Sequence, residues 1–249
     1  MSEILKDRSI VLRTYDYGET SLVVSFLTRS HGKIRLLAKG AKKNKSPFAG
    51  SLRTGSLGNI VFYFKQERGL HLLKEIENSG IFQNSIEDLE KLCIFQAGLE
   101  VLDRSVKERD ADELIFDLFE GFIRLLPRIA DSWVVLFALY ARLLKLTGFY
   151  PATDRCAGCG TDLVHGFMAQ PQAGRITCVA CGVDGALFVS ERSARLLSML
   201  MLDDMSGIEE LSIQPDERKE IGRFLHFFFL YHIDGYRLPN ALQILKEVD

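Results

Sequence analysis

The sequence predicts an α+β chain: a small antiparallel β-barrel first, then an α-helical domain that is interrupted by a compact four-cysteine module. Three observations carry this. The hydrophobic period is about two residues up to position 80 and becomes helical from Ser85 onward. Four of the five cysteines stand in two short pairs, Cys156-Ala157-Gly158-Cys159 and Cys178-Val179-Ala180-Cys181, with 18 residues between the pairs. Charge divides with the period: residues 1–80 hold 14 Lys or Arg against 7 Asp or Glu, and the remaining 169 hold 17 against 26. A net charge of −2 conceals this asymmetry, which points to an anionic partner for the first segment alone. With 47% hydrophobic and 26% charged residues, the 249-residue chain has ample core material for one large domain or two to three small ones.

The strands come first. Ser9–Tyr15 is apolar and β-branched and ends at the turn-like Asp16-Tyr17-Gly18. Thr20–Thr28 and Ile34–Ala38 flank the hairpin signal Ser30-His31-Gly32-Lys33. Gly58–Lys65 and Leu70–Ile76 make a second hairpin around Gln66-Glu67-Arg68-Gly69. About five closely spaced strands in so short a segment favour a barrel over a sandwich, and an OB-fold is one such barrel. Phe26 and Phe62 are the aromatics expected in its core.

The helices follow. Ser85-Ile86-Glu87-Asp88 has the form of a capping box, and Leu89, Leu92, Gln96, Leu99 and Leu102 continue a mostly apolar stripe. Asp110 and Glu113 are placed to cap a second helix that stops near Pro127, and a third runs from Ser132 to Leu146, ended by Thr147-Gly148 and Pro151. The cysteine module takes residues 152–187, with a short hairpin from Gly166–Ala169 and Arg175–Thr177 turned at Pro171–Gly174. Helices resume at about Ser190–Leu202, Asp216–His232 and Leu238–Val248. The expected division is therefore a barrel at 1–80 and a helical domain at 81–249, with the module at 152–187 inserted in it.

A two-residue gap lets both sulfurs of Cys156 and Cys159, or of Cys178 and Cys181, turn toward one ion. The glycine after each pair, Gly160 or Gly182, is expected to curl the backbone back through positive φ. Two such knuckles fit a tetrahedral Zn²⁺, and four sulfurs leave no open coordination position, so the metal would be structural rather than catalytic. An iron centre of the same thiolate type and a pair of disulfides are the other chemical readings; disulfides would require an oxidising compartment. Nothing at Met1–Asp7 resembles a signal peptide, and the most apolar stretch, Phe224–Ile233, is too short to span a bilayer, so a cytoplasmic setting is expected. Cys93, inside a helical pattern, reads as a buried structural thiol.

Lys39, Lys42, Lys43 and Lys45 crowd a polar loop just after a strand, with Arg29, Lys33 and Arg35 close by. Ammonium groups on such a loop either face water or hold phosphate. Their place on a strand-rich basic segment favours nucleic acid, with Tyr15, Tyr17, Phe48, Tyr63 or Phe64 as further aromatic platforms for bases. The five histidines form no nucleophile motif, no glycine pattern matches a phosphate loop, and Glu108–Glu113 reads as a solvated helix start, so no enzyme is expected. Arg142, on an apolar helix, and Arg124, at the end of the preceding one, offer cations beside apolar side chains. They suit an acidic peptide ending in an aromatic residue, or simply snorkel over a core.

The runs Gly18-Glu19, Phe26-Leu27-Thr28, Gly32-Lys33-Ile34, Ala38-Lys39-Gly40-Ala41-Lys42-Lys43 and Lys45-Ser46 resemble the amino-terminal signature of the RecO recombination-mediator family. Leu143–Pro151 leading into Cys156-Ala157-Gly158-Cys159-Gly160 is similar to that family's second half. The resemblance implies an OB-fold, a helical domain and a zinc module found in some members. It also implies binding of single- and double-stranded DNA, strand annealing, and work with RecR to load RecA onto DNA coated by single-strand-binding protein (SSB). The acidic SSB tail would dock on the helical domain. The segment Gly235–Asn240 departs from the family by lacking a basic Lys-Ser-Arg-like stretch. Apart from the resemblance, a zinc-stabilised RNA-binding or transcription-associated protein shares the same basic barrel and knuckles.

Overall fold

Alternation along one short segment sets the barrel. In Gly32–Ala38, every second residue from Ile34 is buried (Ile34 3%, Leu36 0%, Ala38 0% exposed) and the residues between are not, the pattern of a strand with one face on a core. The computed structural model, which describes residues 3–65, 69–80, 88–163, 165–201 and 206–248, has five strands in this part. They are β1 (Glu3–Tyr17), β2 (Ser21–Thr28), β3 (Gly32–Ala38), β4 (Leu57–Phe64) and β5 (His71–Gly80). β1 is long enough to pair twice, through Glu3–Ile10 with β4 and through Ser9–Tyr17 with β2, with a register shift between Val11 and Arg13. The pairings run β1-β2-β3-β5-β4 and return to β1. The β3–β5 join is a short parallel ladder, Leu36 to His71 and Leu37 to Leu72. Phe26 and Phe62, both fully buried, centre a core with Val11, Val24, Leu36 and Ile60, and Phe48 and Leu52 pin the turn-rich 39–56 segment to it.

Among the described residues six α-helices follow: α1 (Leu89–Ser105), α2 (Glu113–Leu125), α3 (Ser132–Leu146), α4 (Glu191–Leu200), α5 (Pro215–His232) and α6 (Asn240–Val248). The capping box foreseen at Ser85–Asp88 lies outside the described residues except for Asp88, whose carboxylate accepts the Glu90 N–H at 2.9 Å. α2 is capped by Asp112, not Asp110: Asp112 Oδ1 accepts from Leu114 N (2.8 Å) and Ile115 N (3.2 Å). Asp110 is displaced because the chain before it is drawn to β3, where Arg109 N donates to Lys33 O (3.0 Å) with Arg109 at φ 61°. α3 matches its sequence boundaries and is buried almost all round, from Val134 to Leu144, as the central helix of a bundle must be. Of the turn expected at 66–69, Gln66, Glu67 and Arg68 lie outside the described residues.

Contacts divide the chain into two compact units, Met1–Leu92 with Ser105–Pro127, and Cys93–Arg104 with Arg128–Asp249. This grouping differs from a boundary at residue 80. α2, which buries Phe116, Phe119 and Phe122, and the segment before it are also tied to the strands by ion pairs described below. In the second unit α3 packs with α4 and α5, and Tyr140 meets Phe229 edge-on at 5.3 Å while its hydroxyl donates to Ala97 O (3.3 Å). Three short strands, β6 (Phe167–Gln170), β7 (Arg175–Thr177) and β8 (Leu187–Val189), form a sheet in the order β7-β6-β8. The hairpin β6–β7 follows the sequence pattern; β8, only three residues long, does not stand out in it.

Gly32 combines a close backbone approach with a left-handed backbone conformation. Its φ is +66°, and a Cβ there would lie 2.5 Å from Asp110 O. Gly32→Ala should therefore lower the unfolding free energy by roughly 2–4 kcal/mol, the sum of a left-handed penalty and overpacking against backbone. Gly50→Ala, at φ +74° with nothing within 4 Å, should lose only about 1 kcal/mol. Urea unfolding of both variants checks the contrast, and equal losses would show that the Asp110 contact is slack.

Candidate nucleic-acid interface and metal centre

The barrel's cations fall into two sets. The first is clasped by carboxylates from one segment, residues 108–120. Arg8 donates from Nε to Glu120 Oε2 (2.7 Å) and from its terminal nitrogen to Oε1 (2.6 Å), a two-pronged grip. Arg29 meets Asp117 at 2.9 Å and Glu113 at 3.3 Å, and Arg35 meets Glu108 at 2.6 Å. Lys33 Nζ reaches Val106 O at 3.5 Å. Thus Glu108 and Glu113, which look like a solvated helix start in sequence, are counter-charges to the strands. Sequence spacing offered no signal for this, since the partners lie about 70 to 110 positions apart.

The second set is open. Among the described residues Lys39, Lys43 and Lys45 make no ion pair; Lys42 meets the well-exposed Asp16 at 2.6 Å. The loop is nevertheless ordered by its backbone: Lys42 N donates to Thr20 O (2.9 Å), and Lys43 N to Gly40 O (3.1 Å). Tyr15 and Tyr17 are about half exposed and Tyr63 is half-buried, whereas Phe48 is buried and unavailable for stacking. Next to Lys39 lies a groove of about 520 Å³ lined by Leu37, Lys39, Tyr63, Lys65, Leu70, His71 and Leu72. Burial, and then the Arg109 charge, lower the pKa of His71, whose Nδ1 accepts the Lys65 N–H at 3.2 Å. Lys65 and His71 were not singled out as ligand residues in the sequence because only the β3–β5 pairing brings them to Lys39.

Arg124 and Arg142 lie in different units. Arg124 holds Glu120 at 2.7 Å beside Arg8, and Arg142 Nε donates to Leu200 O at 2.9 Å.

The four cysteines do come together. Their sulfurs lie within 4.8 Å of one another, and Cys159 and Cys178 are 3.8 Å apart. Sulfurs about 2.3 Å from a common tetrahedral Zn²⁺ stand roughly 3.8 Å apart, whereas a disulfide needs about 2.05 Å; all are free thiols. Cys156 Sγ accepts backbone N–H groups from Cys178 (3.2 Å), Gly158 (3.3 Å) and Cys159 (3.5 Å). The Cys178 amide leads in lowering its pKa to about 6. The Cys181 thiol, hydrogen-bonded to the sulfurs of Cys159, Cys178 and Cys156, is pushed the other way, to about 12. Four thiolates this close repel one another, and a divalent cation among them would hold all four deprotonated. The donor set fits Zn²⁺. Gly160 has the positive φ expected of it (+74°), but Gly182 does not: its φ is −64°. Gly182 is needed for space instead, since a Cβ there would lie 2.8 Å from Met168 Cγ.

The module is fastened to α5. His232 Nε2 donates to Pro171 O (2.9 Å), Gln172 Nε2 donates to Tyr231 Oη (3.0 Å), and Phe167 meets Phe224 edge-on at 5.7 Å.

Comparison with known proteins settles the kinship. The family model described as "Recombination protein O N terminal" matches residues 1–82, and "Recombination protein O C terminal" matches residues 86–241. The chain belongs to the recombination protein O family. Relatives named "DNA repair protein RecO" span nearly its whole length. That of Bacillus pumilus (strain SAFR-032) is 29% identical, covering 98% of this chain and 97% of its own. That of Alkaliphilus metalliredigens (strain QYMF) is 25% identical, covering 98% and 100%. That of Bacillus subtilis (strain 168) is 27% identical, covering 91% and 88%. Among the described residues no helix is long and apolar enough to cross a membrane.

The clasp has a pH signature. Burial opposes ionisation of Glu120, but hydrogen bonds from Arg8 and Arg124 outweigh it and leave the carboxyl below its ordinary pKa. A depressed carboxyl stabilises the fold above its unfolded pKa, about 4.3, and loses that contribution as pH falls through the lower folded value. Glu120→Gln should lower stability at pH 7 by roughly 1–2 kcal/mol, as loss of charge-assisted bonds does. The deficit relative to the parent should shrink below pH 4; a pH-independent deficit in urea titrations would assign it to packing instead.

Proposed function

We propose that this protein is a DNA-repair recombination mediator whose barrel is an OB-fold that binds single- and double-stranded DNA. The observation that carries the reading is the open lysine loop, Lys39–Lys45, on a barrel whose arginines at 8, 29 and 35 are already neutralised by its own carboxylates. Family membership and the strand order β1-β2-β3-β5-β4 support it. No nucleophile is needed. Lysines that neutralise phosphates on two strands lower their mutual repulsion and release condensed counterions, which favours annealing. We infer cooperation with RecR in loading RecA onto SSB-coated DNA, and docking of the SSB tail on the helical domain through Arg142 or Arg124. Cys156, Cys159, Cys178 and Cys181 would hold one structural Zn²⁺, which would fold residues 152–187 and so brace α5.

The deciding experiment is annealing of complementary strands coated with cognate SSB, with and without the protein; no acceleration at any salt would overturn the mediator reading. Within it, Lys43→Ala with Lys45→Ala should flatten the log–log salt dependence of single-strand binding by roughly 1 to 1.5 units, at about 0.7 per phosphate contact. Arg29→Ala, which removes a clasped cation, should leave that slope nearly unchanged while lowering stability. An unchanged slope for the double variant would move the DNA surface elsewhere.

For the metal, one zinc per chain is expected by elemental analysis. Cys159→Ser should lower that content and destabilise the module, because a structural site of this kind contributes its binding energy to folding. Purified protein with four titratable thiols and far less than one zinc would refute the assignment.

A further inference from the structure

The groove at the β3–β5 join holds more than charge. We propose that it is a subsite for one unpaired base of single-stranded DNA, with Tyr63 as its stacking platform and Lys39 and Lys65 on the flanking phosphates; this rests on the DNA-binding reading above.

Register builds the site. Leu37 on β3 pairs with Leu72 on β5, and Leu72 pairs with Tyr63 on β4. Their neighbours Leu36, Leu73 and Phe62 fill the core, so these three side chains share the opposite, outward face. The result is an apolar row across three strands, half-buried and ending in an aromatic ring. Lys39 and Lys65, one position past the ends of β3 and β4, line the same groove. β3 runs parallel to β5 and β4 antiparallel to it, so the two lysines leave the row at opposite ends. An apolar floor between two cations matches a nucleotide, whose base is apolar on its faces and whose phosphates lie on either side.

The surroundings favour a built site over an accident of packing. The His71 ring lies 4.6 Å from Phe64, and its Nδ1 fixes the Lys65 amide, which sets where that lysine emerges. Lys39 and Lys65 make no ion pair among the described residues, in contrast to Arg29 and Arg35 on the clasped side. The groove volume lies within the range of sites that take small organic ligands. A base in duplex DNA is covered on both faces by its stacking neighbours and cannot lie on Tyr63. Lysines serve either form, whereas the floor serves only single strands.

Fluorescence anisotropy with a 15-nucleotide oligo-dT, an abasic strand of equal length and a duplex of equal length tests this. The parent should bind oligo-dT more tightly than the abasic strand, by roughly five- to a hundredfold for a stacked base. Tyr63→Leu should remove most of that difference and leave abasic and duplex binding unchanged. Tyr63→Phe, which keeps the ring, should behave as the parent. Equal oligo-dT affinity for parent and Tyr63→Leu, or an equal loss on single and double strands, would overturn the subsite while leaving DNA binding intact. A parent that bound none of the three would overturn the DNA-binding reading as well.

Discussion

Cations gathered on a small barrel must find anions, and that requirement shapes the first half of this molecule. Two like charges 4 Å apart repel by about 4 kcal/mol at a surface-like effective dielectric of 20, so a net-basic strand segment has a strong incentive to recruit carboxylates. Here they come from one stretch: Glu108 on Arg35, Glu113 and Asp117 on Arg29, and Glu120 on Arg8. Residues 105–127, acidic and partly helical, accordingly carry the counter-charges of the strands with which they group. Each exposed pair alone is worth little. Glu120 differs, since its carboxylate is mostly buried and gripped by two arginines. The recruitment is one-sided, and the lysines from 39 to 45 retain most of their capacity for an external anion.

The second unit solves a different problem by a different force. Between α3 and α4 the described residues include only ten in short strands, with Phe167, Ala169, Ile176 and Val189 as a small buried cluster. Four sulfurs within 4.8 Å of one another stand beside it, and a bound ion would join them. The knuckles are also linked by backbone, through Ala157 N to Ile176 O (2.9 Å) and Cys178 N to Cys156 Sγ. α5 then receives the module along its aromatic face, where His232, Tyr231 and Phe224 each contact it. Electrostatic recruitment orders one half of the chain, and sulfur chemistry orders part of the other.

Legibility in the sequence follows from the range of the forces involved. Period and punctuation are local, so α3, the β6–β7 hairpin and the five barrel strands were readable, and Phe26 and Phe62 were identified as core. Cysteine spacing is nearly local, so the cluster was readable too. Gly182 was misread because a steric demand from Met168, 14 positions away, imitates a conformational one. The cap of α2 was misplaced by two residues because Arg109 is held by β3, a contact between positions 33 and 109. β8 was too short to carry a period. For the binding surface, charge density identified the lysine loop, but density cannot tell a free cation from a clasped one. Arg29, Lys33 and Arg35 look identical to Lys43 until Val106, Glu108, Glu113 and Asp117 are placed beside them.

The separation of clasped from open cations bears on what a mediator has to do. A barrel with all its arginines and lysines facing DNA would bind tightly, because each phosphate contact adds a counterion-release term, and tight binding opposes strand exchange and annealing. Internal carboxylates occupy Arg8, Arg29 and Arg35, a residue type that grips phosphate in a bidentate way, and leave lysines, which act as mobile point charges. What remains under the proposed function is a short run of weak, sequence-blind contacts beside a groove that can prefer unpaired bases. Affinity is then limited by charge, and selectivity comes from the groove floor. Such an arrangement lets a strand be held long enough to meet its complement and released once its bases are paired, since pairing removes the free base face that the floor would recognise.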